Sequence, residues 1–211
     1  MRPYDYWASG AGLSQVTPHG LPLPEGQDFP AFLAALIGER KVVEFGSGPG
    51  RLAALLDAER YVGVDICATA LERARETAPK HQFKLIDESV PLPDGDVTLC
   101  HTVLLHVPDD LLLQTIDRFN SNAVIVSEIL GRKWRRDGEP PVFNREAIDY
   151  VLAFGKFGYV LASHVERPYP YYRDTNLTVI EFRRAEKSKE PTNDGPLLDA
   201  SSPARPRRTK S

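Results

Sequence analysis

Apolar residues in this chain switch repeatedly between two spacings, and the switches divide it into elements. Phe29, Phe32, Leu33, Leu36 and Ile37 recur three and four apart, which predicts a helix over 28–38 with Asp28 as N-cap and Gly38 as stop. Short β-branched runs at 41–45 and 61–65 read as strands buried on both faces. Between them, Leu52, Leu55 and Leu56 give the apolar stripe of a helix. The alternation continues with a helix over 69–78 stopped by Pro79, a strand at 82–86 and a strand at 97–100. A helix with Leu111, Leu112, Thr115, Ile116 and Phe119 inward precedes a strand at 123–126. Asn144 then reads as the cap of a helix carrying Ile148, Val151, Leu152 and Phe154, which Gly155 and Gly158 end before strands at 159–165 and 177–182.

Strand–helix alternation over 140 or so residues predicts an α/β fold: a three-layer, doubly wound, Rossmann-like sheet with right-handed crossovers. The domain spans 28–183. Residues 1–27, rich in Gly, Pro and aromatics without a sustained period, read as an irregular arm that can fold over the site as a lid. Residues 184–211 are charged and nearly free of large apolar groups, so burial cannot offset their ordering entropy; they read as a disordered tail.

The 211 residues carry a net charge of -3, with a pI near 6.0, so nothing in the overall balance draws the chain to nucleic acid. Cys67 and Cys100 have neither metal-ligand spacing nor the count of a disulfide framework, which predicts no metal and a reducing, cytoplasmic compartment. No apolar run is long enough to span a bilayer, and the first residues lack the apolar core of a signal peptide.

The most informative stretch is Val42-Val43-Glu44-Phe45-Gly46-Ser47-Gly48-Pro49-Gly50, a strand that feeds into glycines at every second position. Such a turn lets a ligand reach the main chain, and a helix starting near Gly50 would point its free N–H groups at that ligand. A dinucleotide fingerprint needs G-x-G-x-x-G and an uncharged approach to pyrophosphate; here Arg51 fills the last glycine position and Glu44 ends the strand. A cationic ligand without phosphate suits this pattern better. Asp65 lies about twenty residues past the first glycine, where such folds place a carboxylate on ribose hydroxyls, a need that a nicotinamide cofactor shares.

The E-x-G-x-G-x-G pattern resembles the first motif of the class I S-adenosylmethionine-dependent methyltransferases. Asp87-Glu88 ahead of a Leu-Pro turn, and His101-Thr102-Val103-Leu104-Leu105-His106-Val107-Pro108, are similar to that family's segments around its fourth strand. The resemblance implies a seven-stranded, mostly parallel sheet whose last strand is antiparallel. It also implies S-adenosylmethionine as cofactor and S-adenosylhomocysteine as product, held by Glu44, Gly46, Ser47, Gly48, Gly50, Asp65, Ile66, Asp87, Glu88, His101 and Thr102. His106, with His101 beside it, is the candidate to take a proton from the acceptor, because an imidazole titrates near neutral pH.

Acceptor contacts are sought in the aromatic and basic loops. Tyr6, Trp7 and His19 come from the arm, Arg132 and Trp134 from the basic loop after the fifth strand, and Tyr169, Tyr171 and Arg173 from the joint between the last two strands. Arg and Lys there favour a carboxylate, a phosphate or a nucleic-acid backbone, and Trp134 a ring. The expected reaction is methyl transfer to an oxygen or nitrogen of a small, anionic acceptor. RNA, a protein side chain, a nicotinamide oxidoreductase and a non-catalytic partner with the same fold stay open as alternatives.

Overall fold

The computed structural model describes residues 2–15, 29–87, 89–130, 141–169 and 176–185. Helix α1 (Pro3–Ala8) opens the arm and is followed by a 3-10 turn over Ala11–Gln15, so part of the arm expected to be irregular is helical. Then come α2 (Phe29–Ile37), β1 (Val42–Phe45), β2 (Tyr61–Asp65), α3 (Ala68–Thr77), β3 (Gln82–Leu85) and β4 (Val97–His101). The chain ends with α4 (Asp109–Asp117), β5 (Ala123–Leu130), α5 (Ala147–Gly155), β6 (Tyr159–Pro168) and β7 (Asn176–Arg184).

The strands form one seven-stranded sheet in the order β3-β2-β1-β4-β5-β7-β6. Pairings from β3 through β5 are parallel, and β7 inserts antiparallel between β5 and β6, as the family resemblance implied. Every residue of β1, β4 and β5 is buried, because helices cover both faces of the sheet centre. Strand alternation sends Val42, Leu99 and Ile125 to one side, against Phe29, Leu33 and Ile37 of α2 and Leu71 of α3. Val43, Cys100 and Val124 go to the other, against Ile116 of α4 and Tyr150 and Phe154 of α5. Phe154 stacks on Phe182 at 4.5 Å between centroids.

Two local expectations fail. No α-helix follows the glycine turn; residues 51–60 pass through short 3-10 turns over Ala53–Leu55 and Ala58–Arg60. Leu52 and Ala53 are buried all the same, in the cluster that α2 already fills, and Asp57 caps the second turn by accepting from the Glu59 N–H. Glu146, not Asn144, caps α5: it forms a reciprocal capping box with Asp149, which satisfies two helix-end donors. Among the described residues no helix is long and apolar enough to cross a membrane.

Candidate cofactor and acceptor site

Parallel strands end together, and the sheet order reverses between β1 and β4, where ligands of such folds bind. A cavity of about 550 Å³ opens there. Its floor is the turn after β1, in which Gly46 (φ 73°) and Gly48 (φ 54°) adopt the left-handed region that side chains disfavour. At Gly46 a Cβ would fall 2.3 Å from Val103 Cγ2, so the turn packs directly on the loop after β4; at Gly48 it would meet nothing within 4 Å. The floor therefore leaves open space at Gly48.

The hydrogen bonds of this turn close on the protein itself. The N–H groups of Gly46 and Ser47 both donate to Val64 O (2.8 and 3.0 Å), Gly48 N–H to Asp65 Oδ2 (2.8 Å) and Gly50 N–H to Ser47 O (3.1 Å). With these donors engaged and no α-helix behind them, the turn is no phosphate cradle of the P-loop or dinucleotide kind. Asp65 lines the cavity and accepts from Gly48 and Cys67 N–H, which leaves lone pairs for further donors. Burial pushes its carboxyl above the usual range, while the N–H groups of Cys67, Gly48 and Ile66 pull it back. Ile66 and Ile86 add apolar wall beside it. A buried acid, an apolar wall and a turn whose N–H groups are engaged internally fit an adenosine bearing a sulfonium and an amino acid better than one bearing a pyrophosphate.

Thr102 begins the opposite wall at φ 49°, a left-handed conformation costing roughly 1–2 kcal/mol in a β-branched residue. Two contacts hold it: its N–H donates to Ser127 O (2.8 Å) and its Oγ1 accepts from Arg51 Nη2 (3.0 Å). His101 lines the cavity nearby, with Nδ1 3.1 Å from Ser127 Oγ and its ring 5.3 Å from Phe29. The next turn, Leu104–His106, carries His106 into the cavity wall. His106 Nδ1 lies 2.7 Å from Pro141 O; a carbonyl only accepts, so Nδ1 carries the proton and Nε2 the lone pair in the neutral ring. Trp7 of α1 covers the imidazole at 4.3 Å between centroids.

That turn is braced from both sides. Glu128, fully buried on β5, accepts from Val103 and Leu104 N–H (3.2 and 2.8 Å); burial pushes its carboxyl up to about 8 despite these donors. Arg145 donates to Leu104 O and Val107 O (both 2.7 Å) and pairs with Asp109 at 2.6 Å. Neither residue stood out in the sequence, where Arg145 belongs to no motif and Glu128 falls two residues past the strand expected at 123–126; the apolar Ile129-Leu130 beyond it, which extends β5 to Leu130, was the available signal that Glu128 is a charge inside a strand.

Of the residues expected to bind cofactor, Gly46, Gly48, Asp65, Ile66, His101 and Thr102 line one cavity. Ser47 and Gly50 shape the turn from behind it, outside the lining. Glu44 is also outside: buried beneath the floor, it accepts a hydrogen bond from Tyr61 Oη, and burial pushes its carboxyl up to about 7 against the pull of Tyr61 and Arg51. The partner it is seen to bond is the Tyr61 hydroxyl of the neighbouring strand. Asp87 turns to solvent and spends its carboxylate on Ser89 and Val90 N–H and the Ser89 hydroxyl, and it does not line the cavity. Trp7 and Tyr169 line the cavity with His106, whereas Tyr6 is a core residue set edge-on against Trp7. His19, Glu88, Arg132, Trp134, Tyr171 and Arg173 lie outside the described residues. No cluster of metal-ligating side chains occurs among the described residues.

A 3-2-1-4-5-7-6 sheet, with a phosphate-free glycine turn and an acid at the second strand end, defines the class I methyltransferase architecture. The fold is that of the class I S-adenosylmethionine-dependent methyltransferases, and residues 43–121 match the model of a methyltransferase domain. Among curated proteins it is similar to a trans-aconitate 2-methyltransferase of Rhodopseudomonas palustris (strain BisB5), with 39% identity over 85 residues, 36% of this chain and 32% of that protein. The match thus spans about a third of that relative's length. Among solved structures it is similar to a magnesium protoporphyrin IX methyltransferase from Synechocystis PCC 6803 with bound S-adenosylhomocysteine: TM-score 0.66, 17% identity, 86% of this chain and 98% of that one. A 1,6-didemethyltoxoflavin-N1-methyltransferase of Burkholderia thailandensis superposes at TM-score 0.58 with 16% identity, over 74% of this chain and 76% of that one. These structural likenesses carry the fold.

Proposed function

We propose that this protein transfers a methyl group from S-adenosylmethionine to an oxygen or nitrogen of a small, anionic acceptor. The observation that carries the reading is the turn at the switch point: its N–H groups are engaged internally, while Asp65 and the open side of Gly48 face the cavity. The bound cofactor supplies a methyl group already made electrophilic by a sulfonium, so the protein's work is alignment and exclusion of water. Asp65 accepts the ribose hydroxyls, Ile66 and Ile86 take the base, and Thr102 and His101 border the methionine end. His106, with Nε2 as its lone-pair nitrogen, accepts the proton of a hydroxyl or amine acceptor. Trp7 closes this end of the cavity from the arm, its benzo edge lying so close to the main chain that a Cβ at Gly12 would sit 2.2 Å from Trp7 Cζ3.

The anionic acceptor is supported by Arg51 and Arg118 on the cavity wall, where Arg2 is paired with Asp5, and by the likeness to a protein named for methylating trans-aconitate. Free, buried thiols at Cys67 and Cys100 fit a reducing, cytoplasmic setting. The test is calorimetry with S-adenosylhomocysteine and NADH, followed by labelled S-adenosylmethionine with a panel of small carboxylic acids, phenols, amines and RNA. Binding of S-adenosylhomocysteine alone, and label transfer to a small carboxylate-bearing acceptor, is expected. Preference for NADH, or label appearing only in RNA, would overturn the reading.

A further inference from the structure

Trp7, expected from the sequence to touch an acceptor, lays its indole on the chain's own His106, 4.3 Å between centroids with the ring planes 49° apart. The arm builds that placement. Gly10 (φ 81°) turns the chain after α1, and its N–H donates to Trp7 O at 3.1 Å. Gly12 then packs on the benzo edge, so closely that a Cβ there would stand 2.2 Å from Trp7 Cζ3, and the buried Tyr6 meets the indole edge-on at 5.4 Å. Trp7 Nε1 is itself buried and has no acceptor among the described residues, a cost that a phenyl ring would avoid. What an indole adds is the stronger π face, which attracts a cation within about 6 Å of its centroid.

The charges around the turn largely cancel. On α1, Arg2 is paired with Asp5 at 2.9 Å, and Asp109 of α4 is paired with Arg145 at 2.6 Å. Arg51, Asp65, Asp110 and Arg118 bring both signs to the cavity wall, where Tyr4, Cys67, His101 and Tyr169 are the other titratable groups. Glu128, behind the turn, holds its proton up to about 8. A carbonyl bonded to Nδ1 and a π face against the ring both favour the imidazolium form.

We propose that Trp7 is a positioning residue for the base: its π face fixes the His106 ring and stabilises the imidazolium formed when the acceptor's proton moves to Nε2. The proposal rests on the methyltransferase reading, in which the acceptor loses that proton as its lone pair takes the methyl group. It makes the arm part of the acid–base machinery, because lifting α1 would take the π face from the ring.

The experiment is a pH titration of the full chain, read in two ways. Trp7 and Trp134 are the two tryptophans of the sequence, so a Trp134→Phe background isolates the emission of Trp7. An imidazolium in contact with an excited indole accepts an electron and quenches it, while the His106 Cε1–H resonance, assigned by its loss in His106→Gln, gives the midpoint of the ring itself. The two midpoints should coincide, and the fluorescence step should vanish in His106→Gln. Trp7→Leu keeps apolar cover without a π face and should lower the midpoint by ~0.5–1 pH unit, with Trp7→Phe in between. Gly12→Ala leaves the indole's chemistry intact but drives it from its seat, so midpoint and quench should fall together. Apolar cover alone has the opposite sign: it disfavours charge, and its loss would raise the midpoint. A midpoint that stays or rises in Trp7→Leu, or a fluorescence step that survives in His106→Gln, overturns the proposal. Should Trp7→Leu fail to give a cooperative melt, Trp7→Phe is judged by the same sign. Failure of the native chain to bind S-adenosylhomocysteine in calorimetry, with the Trp7–His106 titration intact, overturns instead the methyltransferase reading beneath it.

Discussion

Replacing Arg145 by Met tests whether the loop that presents His106 is held by its carbonyls. The guanidinium is 4% exposed and donates to Leu104 O and Val107 O at 2.7 Å, whereas its ionic partner Asp109 is 80% exposed. Water can take over Asp109, so the ion pair contributes less than about 1 kcal/mol. The carbonyls decide the magnitude: Leu104 O keeps the Val107 N–H at 3.0 Å, while Val107 O loses its charged donor. Losing two charge-assisted bonds, one of which retains a substitute, costs about 3 kcal/mol, or roughly 6–12 °C in Tm for a chain of this length. The assay is thermal unfolding, paired with S-adenosylhomocysteine calorimetry and turnover. Nucleoside affinity should stay within about 3-fold, because the glycine turn is untouched, while kcat falls ~10-fold or more as His106 loses its fixed position. Asp109→Asn is the control, expected to cost under about 1 kcal/mol. Equal destabilisation by the two variants, or an Arg145→Met protein with native Tm and turnover, would refute the carbonyl argument.

Three further outcomes follow from the same geometry. Gly46→Ala forces a methyl against Val103 at positive φ and should cost about 2–4 kcal/mol in a denaturant melt. Gly48→Ala, with open space around the new methyl, should cost only about 1 kcal/mol yet weaken S-adenosylhomocysteine ~10-fold in calorimetry; the reverse ranking would contradict the assignment of floor and wall. Asp65→Asn keeps one acceptor for Gly48 or Cys67 but sets an NH₂ against the other N–H, so nucleoside binding should drop ~10–100-fold, and unchanged calorimetry would remove Asp65 from the ribose role. For pH, Glu44 and Glu128 have carboxyls raised to about 7 and about 8, so the folded state holds protons that the unfolded chain releases near 4.5. Their stability contribution is complete below that value and is lost as pH rises toward 8; Tm should fall between pH 5 and 9, and Glu128→Gln should flatten the upper part of the curve.

Most of the fold was written in local pattern. Runs such as Val42-Val43 and Ala123 to Val126, alternating with helical stripes, are buried on both faces because strands of a covered parallel sheet see apolar surroundings on each side. That local signal carried the element order and the glycine turn, and the position of Asp65 followed from chain distance alone. It failed at 51–60: Leu52, Leu55 and Leu56 have helical spacing, yet only 3-10 turns form, with Leu52 and Leu56 packed into the cluster of α2 and Leu55 left exposed. Asn144 is a good cap by type, but Glu146 and Asp149 could satisfy each other.

The site divides along the same line. Its main-chain part, a strand end and a turn with left-handed glycines, depends on residues adjacent in sequence and could be read from them. Its electrostatics depend on residues far apart in sequence. Whether Glu44 meets a ligand or Tyr61, whether Asp87 faces the cavity or its own turn, and whether Arg145 and Glu128 brace the His106 loop are set by which side chains the sheet brings together. A carboxylate's partner is fixed by distance in space, and only the assembled strands supply that distance.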